Sequence, residues 1–484
     1  MNKILALAVF LLLIWKVGNS QTDITWNMGM NISANTFGNM HPRMALDGMG
    51  NPMVVWGRMS DAAVMFSRWN GTNFTMPVKL NPTWLSVASA SWMGPDIASH
   101  GDTVYVVAKR SPEVADTNRI FIFTSFNGGN TFNAPVELAF IADSISRFPT
   151  VTTNEFGNPI VAFMKFNSTF MDSRWVVSKS SDYGTTFFTD VKASGWGGSA
   201  EVCDCCPGAL LSQGASSVMI YRDNNNNIRD IWAGISTNYA ADFSSGMAVD
   251  NNNWMMMSCP SSGPDGVIIG DTLYSTFMSA GSGNFRNYLS KSSLSGGALS
   301  AVVNLTGVVP GLSQQNYPRI ASDGNALAIV WKQTVNGAAQ LPVLFTNEIS
   351  NGLPAAYDTV DLDDITNCDV ALSNGKIHVI WQDDNSQTVK YQSGLYPLFP
   401  IGLPEFSEEQ ISIFPNPASN VLNISTPYLR KIDNYKITDY IGREIMKGHQ
   451  LHGNNIDISL LQPGLYYLNF NEGSENQVSK FVKL

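Results

Sequence analysis

The chain has 484 residues, 44% hydrophobic and 11% aromatic, which supplies a large core and excludes an intrinsically disordered chain. Only 14% are charged, which excludes a long solvated helical array; a net charge of −10 without a basic run excludes a nucleic-acid binder. Forty glycines among abundant Ser, Asn and Thr favour many short strands joined by tight turns.

In chain order, Lys3, the apolar run Ile4 to Trp15 and the small residues Gly18-Asn19-Ser20 predict a secretory signal over residues 1–20. The run is shorter than the ~20 residues a spanning helix needs. No other stretch approaches that length, so no transmembrane span is expected in the mature chain.

A pattern of proline, short strand, Gly/Asp turn and second apolar strand then recurs. It starts at Pro42, Pro95, Pro149, Pro207, Pro264 and Pro318 and, without the proline, at Asp369. Successive starts lie 53, 54, 58, 57, 54 and 51 residues apart. Such a period, with four short strands per unit, predicts the blades of an all-β propeller over residues 21–395. The count is seven blades, or six if one unit is an insertion. The seventh unit stops near Tyr391 without a fourth strand, and Ile24 to Ser33 has the pattern to complete it and remove the open edges.

A second motif follows the third strand. Ser125-Phe126-Asn127-Gly128-Gly129-Asn130-Thr131-Phe132 and Ser180-Ser181-Asp182-Tyr183-Gly184-Thr185-Thr186-Phe187 are clear copies, with weaker ones at Ser67, Ser236 and Ser292. The Asp or Asn side chain caps turn amides, glycine takes positive φ, and the last aromatic plugs the hairpin. These copies resemble the Asp-box (BNR) repeat of the sialidase superfamily, where the boxes sit away from the catalytic face.

Sialidases grip a sugar carboxylate with three arginines and use a Tyr nucleophile activated by Glu, with Asp as acid/base. That resemblance implies Arg43, Arg222 and Arg286 as substrate-binding residues and Asp61, Glu201 and Tyr317 as catalytic ones, all in the family's order. Arg319 repeats Arg43, and Tyr317 repeats His41 and Phe148, so a strand-start packing role competes. A polysaccharide lyase would instead use His100 and Tyr105. Trp84, Trp92, Trp196 and Trp254 could stack on sugars or fill core between blades. The turns from Asp223 to Asn227 and Asp250 to Asn253 could hold structural calcium; no other cofactor is expected.

Of five cysteines, Cys203, Cys205 and Cys206 precede the fourth unit and Cys259 precedes the fifth. A disulfide from that cluster to Cys259 is expected ahead of a zinc or copper thiolate site. Cys368 reads as a buried free thiol or an unmatched partner. The Cys-x-Cys-Cys-Pro and Cys-Pro pair is also similar to secreted sialidase-like propellers of unassigned activity.

Residues 396–409, with Phe399 to Pro404 and Ser407-Glu408-Glu409, read as a stiff polar linker. Residues 410–484 then alternate short strands and turns, as in a small Ig-like β-sandwich. Phe414-Pro415-Asn416-Pro417-Ala418, Asp439-Tyr440-Ile441-Gly442-Arg443, Leu461-Gln462-Pro463-Gly464-Leu465-Tyr466 and the final Lys-Phe-Val-Lys-Leu resemble the type A C-terminal sorting domain of the Bacteroidetes type IX secretion system. The resemblance implies transport across the outer membrane, then release or surface attachment. Together the two resemblances imply a monomer that binds or processes a glycan or glycoprotein and meets the secretion machinery. A non-catalytic structural or protein-binding propeller is the alternative.

Overall fold

A computed structural model describes residues 24–34, 37–113, 119–138, 144–198, 201–362, 364–398, 412–425, 434–449, 455–472 and 475–484. The signal segment 1–20 and most of the linker lie outside these residues. The chain parts into two compact units between Leu398 and Phe399.

The first unit is a seven-bladed propeller of antiparallel sheets. Its innermost strands are Asn39–Leu46, Asp96–His100, Ser144–Thr153, Ala209–Gln213, Asp265–Ile269, Leu312–Asp323 and Ile365–Ser373. Each lies beside the next, and the seventh returns to the first. In blade seven, Thr25–Trp26 and Met30–Asn31 both pair with Thr388–Leu395, Thr25 opposite Leu395 and Met30 opposite Tyr391. The amino-terminal segment therefore closes the ring as its sequence pattern predicts.

Blades face one another on both sides, so their middle strands are nearly continuous apolar runs; Val104 to Ala108 is buried throughout. Each of the seven junctions holds its own apolar cluster. Val55, Phe66, Ile97, Val106 and Phe123 join blades one and two. Trp56, Met65, Ile380 and Val389 join blades one and seven. Others fill the remaining five junctions. Because the strands alternate in direction, the inner strand starts at one end of the ring and the third strand finishes at the other.

The second unit is a β-sandwich. Ser412–Phe414, Val421–Ser425 and Asn455–Asp457 form one sheet; Glu444–His449, Asn434–Asp439, Gly464–Glu472 and Glu475–Lys483 form the other. Leu422, Ile437, Leu468 and Phe481 lie in the core. The sorting motifs have local jobs. Asp439 Oδ1 accepts from the Ile441 and Arg443 amides, while Gly442 takes a φ of 84° to close the turn. Asn416 Oδ1 accepts the Val482 amide at 2.9 Å and pins the last strand. Among the described residues, no helix is long and apolar enough to cross a membrane.

Candidate functional site

The inner strands of blades one, three, six and seven each carry a β-bulge at their start. It holds His41, Phe148, Tyr317 and Asn367 at φ of 54°, 51°, 51° and 60°, a left-handed backbone that bulky residues rarely adopt. These four, with Trp92, line a cavity on the propeller axis. Gly94 is required beside them, since a Cβ there would meet the His41 ring at 2.7 Å.

Below the bulges, each blade contributes one residue to an axial ring: Arg43, Asp96, Thr150, Gly208, Asp265, Arg319 and Asp369. Each of the three aspartates ties its own blade to the next one. Asp96 Oδ2 accepts from the Thr150 hydroxyl at 2.7 Å and the Val151 amide at 3.1 Å. Asp265 Oδ2 accepts the Ile320 amide at 3.0 Å, and Asp369 Oδ2 the Met44 amide at 2.9 Å. Arg319 bridges Asp265 at 3.3 Å and Asp369 at 3.1 Å. Burial opposes its charge, but the flanking carboxylates outweigh burial and hold it protonated. Burial and the Arg43 charge keep the His41 imidazole well below its usual pKa, hence neutral. Two arginines thus face three aspartates, and no positive charge is left over for an anionic sugar.

The sialidase constellation does not form. Arg43 alone of the three expected arginines reaches the axial cavity. Its neighbour there is Arg319, which crowds it and lowers its pKa together with burial. Arg222 ends the second strand of blade four beneath Trp254, 5.2 Å from its ring, and donates to the Arg229, Ser262 and Met278 carbonyls. Every one of those bonds is to backbone, because the following loop folds over the guanidinium. Arg286 donates to the Phe285, Leu312 and Ser313 carbonyls beside a separate cleft between blades five and six. Asp61 sits in the short 3-10 turn Met59–Asp61 and is held by Arg58 at 2.7 Å and Lys79 at 3.3 Å. Glu201 accepts the Asp172 amide at 2.6 Å at the edge of blade three and is not among the residues lining the cavity that holds Tyr317. The Tyr317 position is the bulge shared with His41 and Phe148, as its place in the repeat implies.

The lyase pair fails similarly. His100 ends an inner strand, opposite the axial mouth, and the buried Tyr105 hydroxyl is committed to the Gly157 carbonyl at 2.8 Å. Trp254 is core, and Trp196 packs over Gly246, where a Cβ would lie 2.4 Å from the ring. Trp84 and Trp92 are exposed, at 57% and 46%.

The Asp boxes form as predicted. Asp182 Oδ1 accepts the Thr186 amide at 2.8 Å and Ser180 Oγ the Gly184 amide at 2.9 Å. The weak Ser236 copy closes the same turn, with Ser236 Oγ accepting the Ala240 amide at 3.1 Å and Asn238 Oδ1 the Asp242 amide at 3.2 Å. The tips of these turns carry a feature that the turn pattern alone does not predict. Phe126 and Tyr183 meet edge to face at 6.4 Å, and Phe156 and Tyr239 meet at 5.7 Å. All four rings are exposed, and the Tyr183 amide bonds Asn158 in the turn that carries Phe156. Together they make an aromatic row across blades two, three and four, on the face away from the axial mouth. The signal in the sequence is an aromatic at three solvent-facing box positions.

Cys205 and Cys259 form a disulfide with a Cα separation of 6.1 Å. Cys203, Cys206 and Cys368 are buried free thiols. Cys203 and Cys206 stand in Cys-x-x-Cys spacing, a legible pattern that the expectation of a single bridge leaves unused. Cys203, Asp204, Cys205 and Cys259 are the only such residues among those described that gather at metal-ligating distances.

The fold and tail define an exported β-propeller carried by a sorting domain. Residues 412–484 match the secretion system C-terminal sorting domain family. That domain marks the protein for type IX export to the medium or the outer surface, and for contact with that machinery. No curated protein sequence matches the chain. Among solved structures, a protein of unknown function from Dyadobacter fermentans is 10% identical, with 78% of this chain and 100% of that one covered at a TM-score of 0.46. A family PL25 ulvan lyase is 10% identical, covering 75% and 95%, at 0.49. A Trypanosoma rangeli sialidase is 9% identical, covering 92% and 83%, at 0.43. Deleting residues 412–484 is expected to leave the propeller in the periplasm, checked by cell fractionation; normal surface delivery of the truncated chain would contradict the export assignment.

Proposed function

We propose that this protein is a non-catalytic propeller that binds neutral glycan chains outside the cell, along the aromatic row formed by Phe126, Tyr183, Phe156 and Tyr239. The exposure of these four rings carries the reading, since aromatic faces stack on the apolar faces of sugar rings while hydroxyls take bonds from the surrounding polar turns. Glu155, Asp182 and Asp242 flank the row and disfavour an anionic chain. The axial ring supports a structural role instead, because its carboxylates are spent on neighbouring blades and outnumber its two arginines, which leaves no positive charge for an anionic sugar.

A glycan array probed with the full mature chain tests the proposal. Binding to neutral glycans is expected, falling at least ~10-fold in a Phe156→Ala, Tyr183→Ala double variant, as loss of about 1.4 kcal/mol of stacking requires. No turnover of a fluorogenic sialoside is expected. Sialoside hydrolysis, or glycan binding that survives the double variant but is abolished by Trp92→Ala, would overturn it in favour of the axial cavity.

A further inference from the structure

Two free thiols on one turn flank a single disulfide at the start of blade four. Cys203 Sγ lies 3.4 Å from Cys206 Sγ and 3.6 Å from Cys205 Sγ, and Cys206 lies 4.0 Å from Cys205. Cys205 is already bonded to Cys259, whose side chain is exposed while Cys203 and Cys206 are buried. The Arg229 and Arg222 guanidinium groups face Cys203, and Arg229 Nη1 is buried without a hydrogen-bond partner of its own. The hydrogen bond with Cys206 and these two charges hold the Cys203 thiol down at about 7, whereas burial and the nearby Cys203 push Cys206 up. One thiol is thus poised as a nucleophile and the other as a reserve, with a target disulfide within reach of both.

We propose that these four cysteines form a thiol–disulfide exchange site that moves one bridge between two positions. The Cys203 thiolate attacks Cys205 Sγ, a Cys203–Cys205 bond forms, and Cys259 leaves as a thiolate. The Cys206 thiolate then attacks Cys203 Sγ, a Cys203–Cys206 bond forms, and Cys205 leaves. Cys203 and Cys206 each give up a proton, and Cys205 and Cys259 each gain one. No electron enters or leaves. In the first position the bridge ties the start of blade four to the start of blade five. In the second that tie is released and Cys259 is an exposed, reactive thiol.

The experiment incubates the full mature chain at pH 8 with a trace of reduced glutathione, quenches with acid, blocks free thiols with N-ethylmaleimide and maps the bridges by mass spectrometry. The expected map contains Cys205–Cys259 in molecules labelled at Cys203 and Cys206, and Cys203–Cys206 in molecules labelled at Cys205 and Cys259. In Cys203→Ser only Cys205–Cys259 should survive, and labelling of Cys259 should fall at least ~10-fold, because the internal attacking thiolate is gone. Three results would overturn the proposal: Cys205–Cys259 as the sole bridge in the equilibrated wild-type chain, both bridges in the same molecule, or one zinc ion per chain on four free thiols. All three are read from wild-type protein and do not depend on how well the variant folds.

Discussion

Replacing Arg319 with methionine is expected to destabilise the propeller by about 3–5 kcal/mol, the usual cost of removing one partner from a buried ion pair. Asp265 and Asp369 are only 8% and 6% exposed at their side chains, and without the guanidinium both lose their direct ion pair. Arg43→Met is the informative comparison. Arg43 donates to the Pro42 carbonyl at 2.7 Å, and its charge is opposed by burial and by Arg319, so its removal also relieves repulsion. It should cost at least ~1 kcal/mol less than Arg319→Met. Urea unfolding at pH 7.5 reads both values. Equal losses would mean that the axial ring is held by packing and not by charge.

Asp250→Asn should act in the opposite direction and should depend on pH. Burial, reinforced by the Asp230 carboxylate, pushes Asp250 up to about 7, and one of its oxygens has no hydrogen-bond partner. A carboxyl whose folded pKa lies above its unfolded value of ~3.9 is protonated more in the native state between about pH 4 and 7, so it costs stability as pH rises through that window. The asparagine variant should therefore be more stable than wild type by about 2–4 kcal/mol at pH 7.5, with the gain vanishing near pH 4.5. In wild type the buried His41 and His378, both held below their usual pKa, work the other way as pH falls. Only the difference between the two proteins isolates the carboxyl. A pH-independent difference would refute the shift, and a calcium-dependent rise of the wild-type midpoint at pH 7.5 would show a cation sharing these oxygens.

The ring is legible because each blade repeats its start: the proline spacing locates six inner strands, and Asp369 marks the seventh. The pattern in Ile24 to Ser33 identifies the closing strands, and the Ser236 turn is recognisable despite lacking glycine. Within the tail, Glu444–His449 escapes sequence reasoning because Glu444, Lys447 and His449 interrupt its apolar alternation. The expected arginine site fails for a different reason. Order along the chain cannot show that the Trp254 loop covers Arg222, nor that Arg319 and not Arg222 shares the axis with Arg43. What a side chain meets across blades is set by residues some fifty positions away, as the separation of 50 between Arg319 and Asp369 illustrates.

The pairing of Thr25 with Leu395 has a mechanical consequence. Leu395 is the last residue of its strand, immediately before the linker that leads to the sorting domain, and Thr25 opposes it. Tension applied through that domain during secretion arrives where the two ends of the ring are clasped. It would load the paired hydrogen bonds one after another, from Thr25 toward Asn31, as in unzipping, and not all at once in shear. The clasp is therefore the first part of the ring that such tension reaches. A bulky tag or an altered cleavage site just before Ile24 should open the ring at the same place.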